Sequence, residues 1–248
     1  MAERKRRLAP CGRERMALRR GAQTSTSKRD LSSLRIPIHR DGWRFIALFL
    51  ASNLLLFELS PWAGLAFAPF TLWCLAFFRD PDRVTPQGPG LIVSPADGKL
   101  LPIIEAVPPP ELGLGSEPRL RLSVFMDVFN VHVNRMPVDG RIIALNYRKG
   151  RFFNASFDKA SEHNERMSIR IRCEQREATD DLAVVQIAGL VARRIRCDLV
   201  PEQHMRRGER FGIIRFGSRL DVYLPPGTIV LAKNQRVKAG ETVLAKFQ

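Results

Sequence analysis

Short apolar runs separated by Gly and Pro turns fill the chain from residue 91 onward. The segment LIVSPADGKLLPIIEAV predicts a strand, a turn at Pro-Ala-Asp-Gly and a second strand, and residues 228–247 repeat that order. Further apolar stretches lie at 120–138, 138–147 and 181–200. Many short strands with such turns are typical of a mainly β fold, which we expect to be a compact β barrel-sandwich domain over residues 91–248.

One stretch of this region is polar instead. Residues 153–169, FNASFDKASEHNERMSI, show little apolar periodicity and predict an exposed loop with a helical turn. Lys159 and Arg166 belong to this stretch, and a solvated surface explains their charges as well as a binding role does.

Residues 43–78 form a long apolar run, WRFIALFLASNLLLFELSPWAGLAFAPFTLWCLAFF. Glu58, Ser60 and Pro61 interrupt it near the middle, so each half is slightly short of the roughly 20 residues that a full span needs. The pattern favours an N-terminal helical membrane hairpin with the interruption at its far end. A re-entrant or interfacial anchor is the second interpretation. A buried core helix pair is the third, and tryptophans at candidate interface positions weigh against it.

Polar segments flank this run. Residues 1–40 predict a basic disordered tail, and residues 79–90, RDPDRVTPQGPG, predict a Pro/Gly linker and a domain boundary. No apolar core lies within the first 30 residues, so a secretory signal peptide is not expected. Basic residues on both sides of the run predict that both of its ends, and the β domain, lie on the cytoplasmic side of the cell membrane.

The 248 residues carry a formal net charge of +15, which is unevenly distributed. Residues 1–30 hold ten Lys and Arg against three Asp and Glu, and so supply seven of these charges. Such a tail fits nucleic acid, an anionic membrane surface or plain solvent. Because no stacking pattern of aromatic residues accompanies the β segments, no nucleic-acid partner is expected.

The chain has four cysteines, at positions 11, 74, 173 and 197. None of them has the short spacing of a zinc site or a redox pair, so neither a metal site nor a disulfide framework is expected. Reduced thiols in a protein that faces the cytosol are the economical interpretation.

Phe211–Pro226, FGIIRFGSRLDVYLPP, roughly alternates apolar and polar residues on both sides of Gly217-Ser218. The pattern predicts a strand broken by a tight turn, where Gly217 can adopt a backbone conformation that other residues resist. A strained Gly-Ser bond permits self-cleavage: the Ser218 hydroxyl attacks the preceding carbonyl, giving an ester, and β-elimination then leaves an N-terminal pyruvoyl ketone. A β-bulge or hairpin corner with a solvated serine fits the same dipeptide.

Asp97 and His132 are further candidates for chemistry. Asp97 lies in the SPADG turn, where Asp-Gly is also ordinary turn material. His132 lies between two valines on a predicted strand, where a half-buried structural histidine is the alternative.

Five segments in one order resemble a known family. They are FFRDPDR, SPADG, FMDVFNVHVNRMPVDG, FFNASFDKASEHNER and FGSR. Together they are similar to the short, archaeal- and bacterial-type form of phosphatidylserine decarboxylase, a pyruvoyl-dependent enzyme of phosphatidylethanolamine biosynthesis. The resemblance covers about residues 43–248, and five ordered segments are more specific than any single motif.

The resemblance implies self-cleavage between Gly217 and Ser218. The products would be a large chain, 1–217, and a small chain, 218–248, that begins with a pyruvoyl group made from Ser218. Both chains would stay partners in the enzyme, and a homodimer is one candidate for the assembly.

The resemblance also assigns roles to single residues. The family's self-cleavage aspartate matches Asp97, and its decarboxylation histidine matches His132. Longer bacterial enzymes carry a second histidine just before the Met-Pro pair, where this chain has Arg135. The base that activates Ser218 therefore stays open between Asp97 alone and Asp97 with His132.

The implied reaction converts phosphatidylserine in the membrane to phosphatidylethanolamine and CO2. The substrate amine forms a Schiff base with the pyruvoyl carbonyl, which accepts the electrons released as CO2 leaves. His132 then delivers a proton to the α-carbon. Lys159, Arg166 and Arg135 are available to bind the lipid phosphate.

Three other functions fit parts of the pattern. A pyruvoyl decarboxylase that acts on a soluble amino acid would not need the apolar run. A membrane-anchored barrel-sandwich binding module fits the C-terminal VLAKNQRVKAGETVLAKF, which resembles biotinyl and lipoyl domains but lacks a lysine in the usual acceptor tetrapeptide. A nucleic-acid binder rests on net charge alone.

Overall fold

The structure, a computed structural model, describes residues 37–153, 163–174, 181–189, 194–215 and 217–248. These residues belong to one compact unit. Most of the predicted basic tail lies outside the described residues, and so does Lys159. The expectations for them stay predictions.

Two helices form the N-terminal part of the described chain. Helix α1 spans Trp43–Leu59 and helix α2 spans Pro61–Phe77, with Ser60 as the single connecting residue. Proline suits the first position of α2, because the N–H that it lacks would have no partner there. Asn53 donates a hydrogen bond to the Gly64 carbonyl at 3.1 Å, which holds the helices together near their connection. The predicted helical hairpin is confirmed.

Much of the hairpin's apolar surface is exposed. Leu48, Leu54, Leu65 and Leu72 each expose more than half of their surface. Counted from Arg40, the first helical segment has 20 residues and is long and apolar enough to cross a membrane by length and composition, whereas α2 has 17. This exposure favours a membrane-associated hairpin over a buried core pair.

Fifteen strands follow within the described residues. They are β1 (Leu91–Val93), β2 (Gly98–Leu100), β3 (Ile104–Ala106), β4 (Arg119–Met126), β5 (Val133–Arg135), β6 (Gly140–Arg148), β7 (Arg166–Cys173), β8 (Leu182–Ala188), β9 (Arg194–Cys197), β10 (His204–Met205), β11 (Arg210–Arg215), β12 (Ser218–Tyr223), β13 (Ile229–Val230), β14 (Arg236–Val237) and β15 (Val243–Lys246).

The strands form three antiparallel sheets. The largest has nine strands in the order β10-β6-β7-β8-β12-β4-β2-β14, with β3 also paired to β4. Two smaller sheets have the orders β1-β15-β13 and β5-β11-β9. The mainly β prediction is confirmed. Within the described residues the large sheet is open, because its two-residue end strands β10 and β14 each pair on one side only.

Strand β12 departs from the alternating pattern of its sequence. Alternation predicts polar residues that face water, yet all six residues of β12 are buried. Ser218 and Leu220 lie on the face that packs into the main core, whereas Arg219 and Asp221 are buried on the other face. They pair there, with Arg219 Nε 2.8 Å from Asp221 Oδ1. This face is buried because a second apolar cluster around Leu112 covers it.

Strand β7 corrects the expected polar loop at 153–169. Residues 166–173 form a strand that pairs with both β6 and β8. Its alternation begins within the segment that looked polar, and pairing on both sides fixes it as a central strand. Residues 154–162 of the predicted loop lie outside the described residues.

Candidate active site

The chain changes sheet at the predicted Gly-Ser turn. Strand β11 pairs with β5 and β9, whereas β12 begins at Ser218 and pairs with β4 and β8. The break between two strands is confirmed, and it is not a hairpin corner, because the two strands belong to different sheets. Gly217 has a φ of +64°, a left-handed conformation that glycine adopts at little steric cost.

Ser218 starts β12 with its side chain fully buried. It lies opposite Met126 at the end of β4 and opposite Ala188 at the end of β8. Its Oγ contacts the Met126 Sδ at 4.0 Å, and a thioether is a weak acceptor. The alternative of a solvated serine is therefore wrong, and the hydroxyl is held inside the protein by a weak contact.

A short series of polar contacts continues from Ser218. Met126 Sδ lies 3.8 Å from Asn134 Nδ2, and Asn134 Oδ1 accepts a hydrogen bond from Gln186 Nε2 at 2.8 Å. Asn134 and Gln186 are fully buried on β5 and β8, so this bond joins two sheets next to the start of β12. Because Asn134 follows His132 by two residues, the same contacts bring the His132 segment into this region.

His132 lies just before β5 and is fully buried. Its Nδ1 lies 3.0 Å from the Asn130 carbonyl oxygen, which fits a neutral ring whose Nδ1–H donates. The Nε2 atom is then a lone-pair acceptor, and it is buried with no hydrogen-bond partner among the described residues. Burial lowers the pKa of His132 to about 4, although the Asn130 carbonyl and the Asp127 charge act in the opposite direction.

The end of the helical hairpin holds His132 in place. Phe77 at the end of α2 stacks on the imidazole, with ring centroids 4.2 Å apart and planes inclined by 31°. Trp73 and Arg79 donate side-chain hydrogen bonds to backbone carbonyls within residues 128–129, at 3.2 and 2.8 Å. The hairpin therefore contributes directly to the surroundings of a candidate catalytic residue.

Asp97 lies in the turn between β1 and β2, and both of its carboxylate oxygens are engaged. Oδ2 accepts from Arg83 Nη2 at 2.8 Å, and Oδ1 accepts from the Ala239 N–H at 2.7 Å. Burial raises the pKa of Asp97 and outweighs the Ala239 N–H and the Arg83 charge, which lower it. A carboxylate with a raised pKa is a better proton acceptor than an ordinary one.

The three predicted phosphate ligands have different surroundings. Arg135 is buried, lies 3.2 Å from Asp80 and donates to two backbone carbonyls. Arg166 is buried and pairs with Glu111 at 2.7 Å. Lys159 lies outside the described residues. The contacts of both arginines support a structural role, and the phosphate role stays a prediction for all three.

The FFRDPDR segment has partners that sequence reasoning did not identify. Asp80 pairs with Arg135 and with Arg210, at 3.2 and 2.7 Å. Arg83 pairs with Asp97 at 2.8 Å. This segment is one of the five ordered motifs, so its resemblance to the family marked it as important. The motif did not reveal that its charged side chains pair with the site residues.

The predicted site residues fall into two groups. Ser218 and the His132 segment meet in the buried region around Met126 and Asn134. Asp97 belongs to a separate ion pair, and among the described residues neither Asp97 nor His132 is hydrogen bonded to the Ser218 hydroxyl. The uncut chain thus combines a buried serine after a left-handed glycine, a neutral histidine and a carboxylate with a raised pKa.

Comparison with known proteins identifies the family of this fold and site. The family model for phosphatidylserine decarboxylase matches residues 70–245. A phosphatidylserine decarboxylase proenzyme of Paramagnetospirillum magneticum is 56% identical over 211 residues, which cover 84% of this chain and 86% of that protein. Proenzymes of the same name from Rickettsia bellii and Rickettsia typhi are 52% and 50% identical, with 85% of this chain and 90% of each relative covered.

The chain belongs to the phosphatidylserine decarboxylase family. The prediction drawn from the five ordered segments is confirmed, and so is the assignment to an enzyme class, the decarboxylases. The word proenzyme in the relatives' names agrees with a precursor that is processed.

Proposed function

We propose that this chain is a self-processing decarboxylase that converts phosphatidylserine to phosphatidylethanolamine and CO2. Family membership supports the reaction, and the names of the relatives state both the substrate and the precursor form. The observation that carries the proposal is Ser218, whose buried hydroxyl has, among the described residues, a weak sulfur contact alone and directly follows the left-handed Gly217.

The proposed self-cleavage uses the chain's own groups. The Ser218 oxygen attacks the Gly217 carbonyl carbon, the peptide C–N bond breaks, and an ester joins the two parts, while the freed Ser218 nitrogen takes up a proton. β-elimination then breaks the Cβ–O bond of the ester, which leaves a Gly217 carboxylate and an N-terminal dehydroalanine. The imine tautomer of this residue takes up water and releases ammonia, which gives the pyruvoyl ketone. A base must take the hydroxyl proton, and we assign that role to Asp97, whose raised pKa supports it. Because Arg83 and the Ala239 N–H occupy both Asp97 oxygens, Asp97 must first exchange one of these contacts.

The residues around Ser218 fit a pyruvoyl group at the same position. Met126 and Ala188, which flank the start of β12, are apolar and carry no amine that would condense with a ketone. Once formed, this group supplies the electron sink for the loss of CO2. The small chain that would bear it, residues 218–248, is held by strand pairing on both sides of β12.

We assign proton transfer during decarboxylation to His132. With a pKa of about 4 its ring is neutral near pH 7, so Nε2 accepts a proton before it can donate one. A substrate ammonium group must lose a proton before its nitrogen can act as a nucleophile, so it is a suitable source. His132 would then return this proton to the α-carbon after CO2 has left.

The hairpin supports action at a membrane. Trp43 at the start of α1 and Trp62 near the hairpin connection are 61% and 80% exposed, and tryptophans at the two ends of a helical hairpin suit the two interfaces of a bilayer. We propose a domain arrangement with a membrane hairpin at residues 43–78 and a β domain at 91–248 on the cytoplasmic side. The Pro-rich segment between them would be the linker.

The mass of the full-length protein under denaturing conditions tests the proposal. The wild-type chain should give a large chain and a 31-residue small chain, residues 218–248, whose N-terminal carbonyl reacts with amines and is reduced by borohydride. Ser218→Ala should give one uncut chain of about 28.1 kDa that produces no CO2 from phosphatidylserine. Folded wild-type protein that stays uncut and binds phosphatidylserine without releasing CO2 would overturn the proposal and favour a membrane-anchored binding module.

A further inference from the structure

A basic pocket lies at the base of the hairpin, where helix α1 begins. Its volume is about 670 Å³, and the start of α1, strand β9 and the end of β11 line it. Five arginines face this pocket against two aspartates. Trp43, which is 61% exposed, immediately precedes Arg44 of the lining, so the pocket opens at the level where the apolar helix begins.

Two of the five arginines are neutralised within the pocket. Arg40 and Arg196 share the Asp198 carboxylate, with N–O distances of 2.8 and 2.9 Å. Arg196 also contacts Asp41. The aspartates of the pocket are therefore committed to these two side chains.

The other three arginines, Arg44, Arg194 and Arg215, have no carboxylate partner among the described residues. Arg194 and Arg215 lie directly opposite each other on β9 and β11. Like charges at opposite positions of an antiparallel pair destabilise a sheet, and a bound anion would offset that repulsion.

Arg215 is built into the wall of the pocket. Its guanidinium carbon lies 5.4 Å from the centre of the Phe45 ring, in a cation–π arrangement. Its Nε is buried and has no hydrogen-bond partner among the described residues. A buried donor without an acceptor is costly in free energy, so this atom favours a ligand that brings an oxygen acceptor.

We propose that Arg215, with Arg194 and Arg44, binds the phosphate of the phospholipid substrate, an inference that rests on the proposed function. Arg215 precedes Ser218 by three residues, so their Cα atoms are at most about 10 Å apart. Only the carbon skeleton of the serine headgroup separates the substrate's amine from its phosphate. A phosphate on Arg215 would therefore keep the headgroup in the part of the molecule where β11 ends and β12 begins, next to the position at which the reactive group would form. The location at the base of α1 matches the depth of a lipid headgroup.

Binding to the uncut precursor tests this subsite without any turnover. Full-length Ser218→Ala protein in detergent is titrated with dihexanoyl phosphatidylserine by calorimetry. Adding Arg215→Gln, and separately Arg194→Gln, should weaken the affinity about ten- to a hundredfold, because each removes a charge-assisted hydrogen bond. Arg236→Gln is the matched control, since this exposed arginine on β14 does not line the pocket.

Three results would overturn the subsite. Unchanged affinity in both pocket variants is one, and an equal loss in the Arg236→Gln control is another. The third is an affinity for inorganic phosphate as high as that for the lipid, which would indicate a site for free anions. A circular dichroism spectrum for each variant confirms its fold, and Arg194→Gln keeps the test decisive if Arg215→Gln does not fold.

Failure of the subsite and failure of the proposed function give different results. If the wild-type chain is cut and active but the pocket variants bind lipid normally, the phosphate site is wrong and the decarboxylase stands. If the pocket variants lose lipid binding but the wild-type chain is never cut, the chain binds phospholipids at this pocket without the proposed chemistry.

Discussion

Asp97 and His132 are both enclosed candidates for proton transfer, yet their surroundings differ. The Asp97 carboxylate has a partner on each oxygen, Arg83 on one and the Ala239 N–H on the other. The His132 ring rests on Phe77, and its Nε2 has no hydrogen-bond partner among the described residues. Burial is the largest cause of both pKa shifts, and it favours the neutral form of each group.

The difference lies in readiness for proton transfer. His132 can accept a proton at Nε2 without breaking a contact, whereas Asp97 must first give up a hydrogen bond. A group that works once, during self-cleavage, tolerates such an exchange better than one that works in every turnover. This difference supports a single-use role for Asp97 and a repeated role for His132.

Replacing His132 should have the largest effect. His132→Gln keeps a polar side chain but cannot transfer a proton, so turnover per cut molecule should fall about a hundred- to ten-thousand-fold, the usual contribution of general acid–base catalysis. Assays on phosphatidylserine in mixed micelles measure turnover, and denaturing gels measure the cut fraction, which should change little. His204→Gln is the control, since the His204 side chain is 59% exposed on edge strand β10. Wild-type turnover in His132→Gln would refute the proton-transfer role.

The opposite pKa shifts should give opposite pH dependences of stability. The folded-state pKa of His132 is below its ordinary value, so its unfolded form binds protons more readily and stability is lost as pH falls from 6.5 towards about 4. The loss is on the order of 3 kcal/mol over this range, at 1.36 kcal/mol for each pH unit. Thermal unfolding of the uncut Ser218→Ala precursor measures it, and adding His132→Gln should flatten the acid limb.

Asp97 should act in the other direction. Because the folded-state pKa of Asp97 is raised, the folded protein binds this proton more tightly than the unfolded chain does. The resulting stabilisation is fully present below pH 3.8 and is lost as pH rises through the folded-state pKa. Adding Asp97→Asn to the same precursor should therefore remove a contribution present only in acid. Identical pH profiles for the His132 and Asp97 variants would show that neither shift governs the stability of the precursor.

Asp97→Asn should slow self-cleavage about a hundredfold, the low end of the usual contribution of a general base. The amide keeps an oxygen for one of the two existing donors but cannot take up the Ser218 proton. Pulse-chase labelling and gels that separate precursor from product measure the cleavage rate. Asp82→Asn is the matched control, because the Asp82 side chain is 89% exposed in the same polar segment as Arg83. Equal cleavage rates in the two variants would show that Asp97 does not act as the base in self-cleavage.

Phe77→Leu should have the smallest effect, a few-fold loss of turnover with cleavage preserved. Leucine fills much of the space, but it cannot stack on the imidazole as the Phe77 ring does at 4.2 Å. Phe70→Leu on the same helix is the control, since Phe70 is 57% exposed. A shift in the pH profile of turnover in Phe77→Leu alone would mark positioning of His132. Indistinguishable profiles would reduce Phe77 to a packing residue.

Much of the fold could be predicted from local patterns. The strand–turn–strand segments, the hairpin with its break near Ser60 and the turn before Ser218 all follow from apolar periodicity and Gly or Pro positions. Strand β12 shows where this reasoning stops. Alternation alone does not show that both faces of this strand are covered, and that covering explains why Arg219 and Asp221 are buried together.

The site residues also divide into those that the sequence could predict and those that it could not. Ser218, Asp97 and His132 could be singled out because the order of five motifs is a property of sequence. The contact of Phe77 with His132 and the pair of Arg83 with Asp97 could not, because each joins segments whose separation along the chain says nothing about their distance. The pairing of Arg194 with Arg215 across β9 and β11 was hidden for the same reason.

The position of β12 has a consequence for the lifetime of the enzyme. After a cut before Ser218, the small chain would contain β12, β14 and β15. Strand β12 would stay hydrogen bonded between β4 and β8, β14 would stay paired to β2, and β15 would stay paired to β1. The strands β1, β2, β4 and β8 belong to the large chain. Removing the small chain would therefore mean unfolding the sheets. A molecule could not exchange a damaged small chain for a fresh one, so chemical loss of its reactive group would be permanent, and lost activity would return only through new synthesis of the protein.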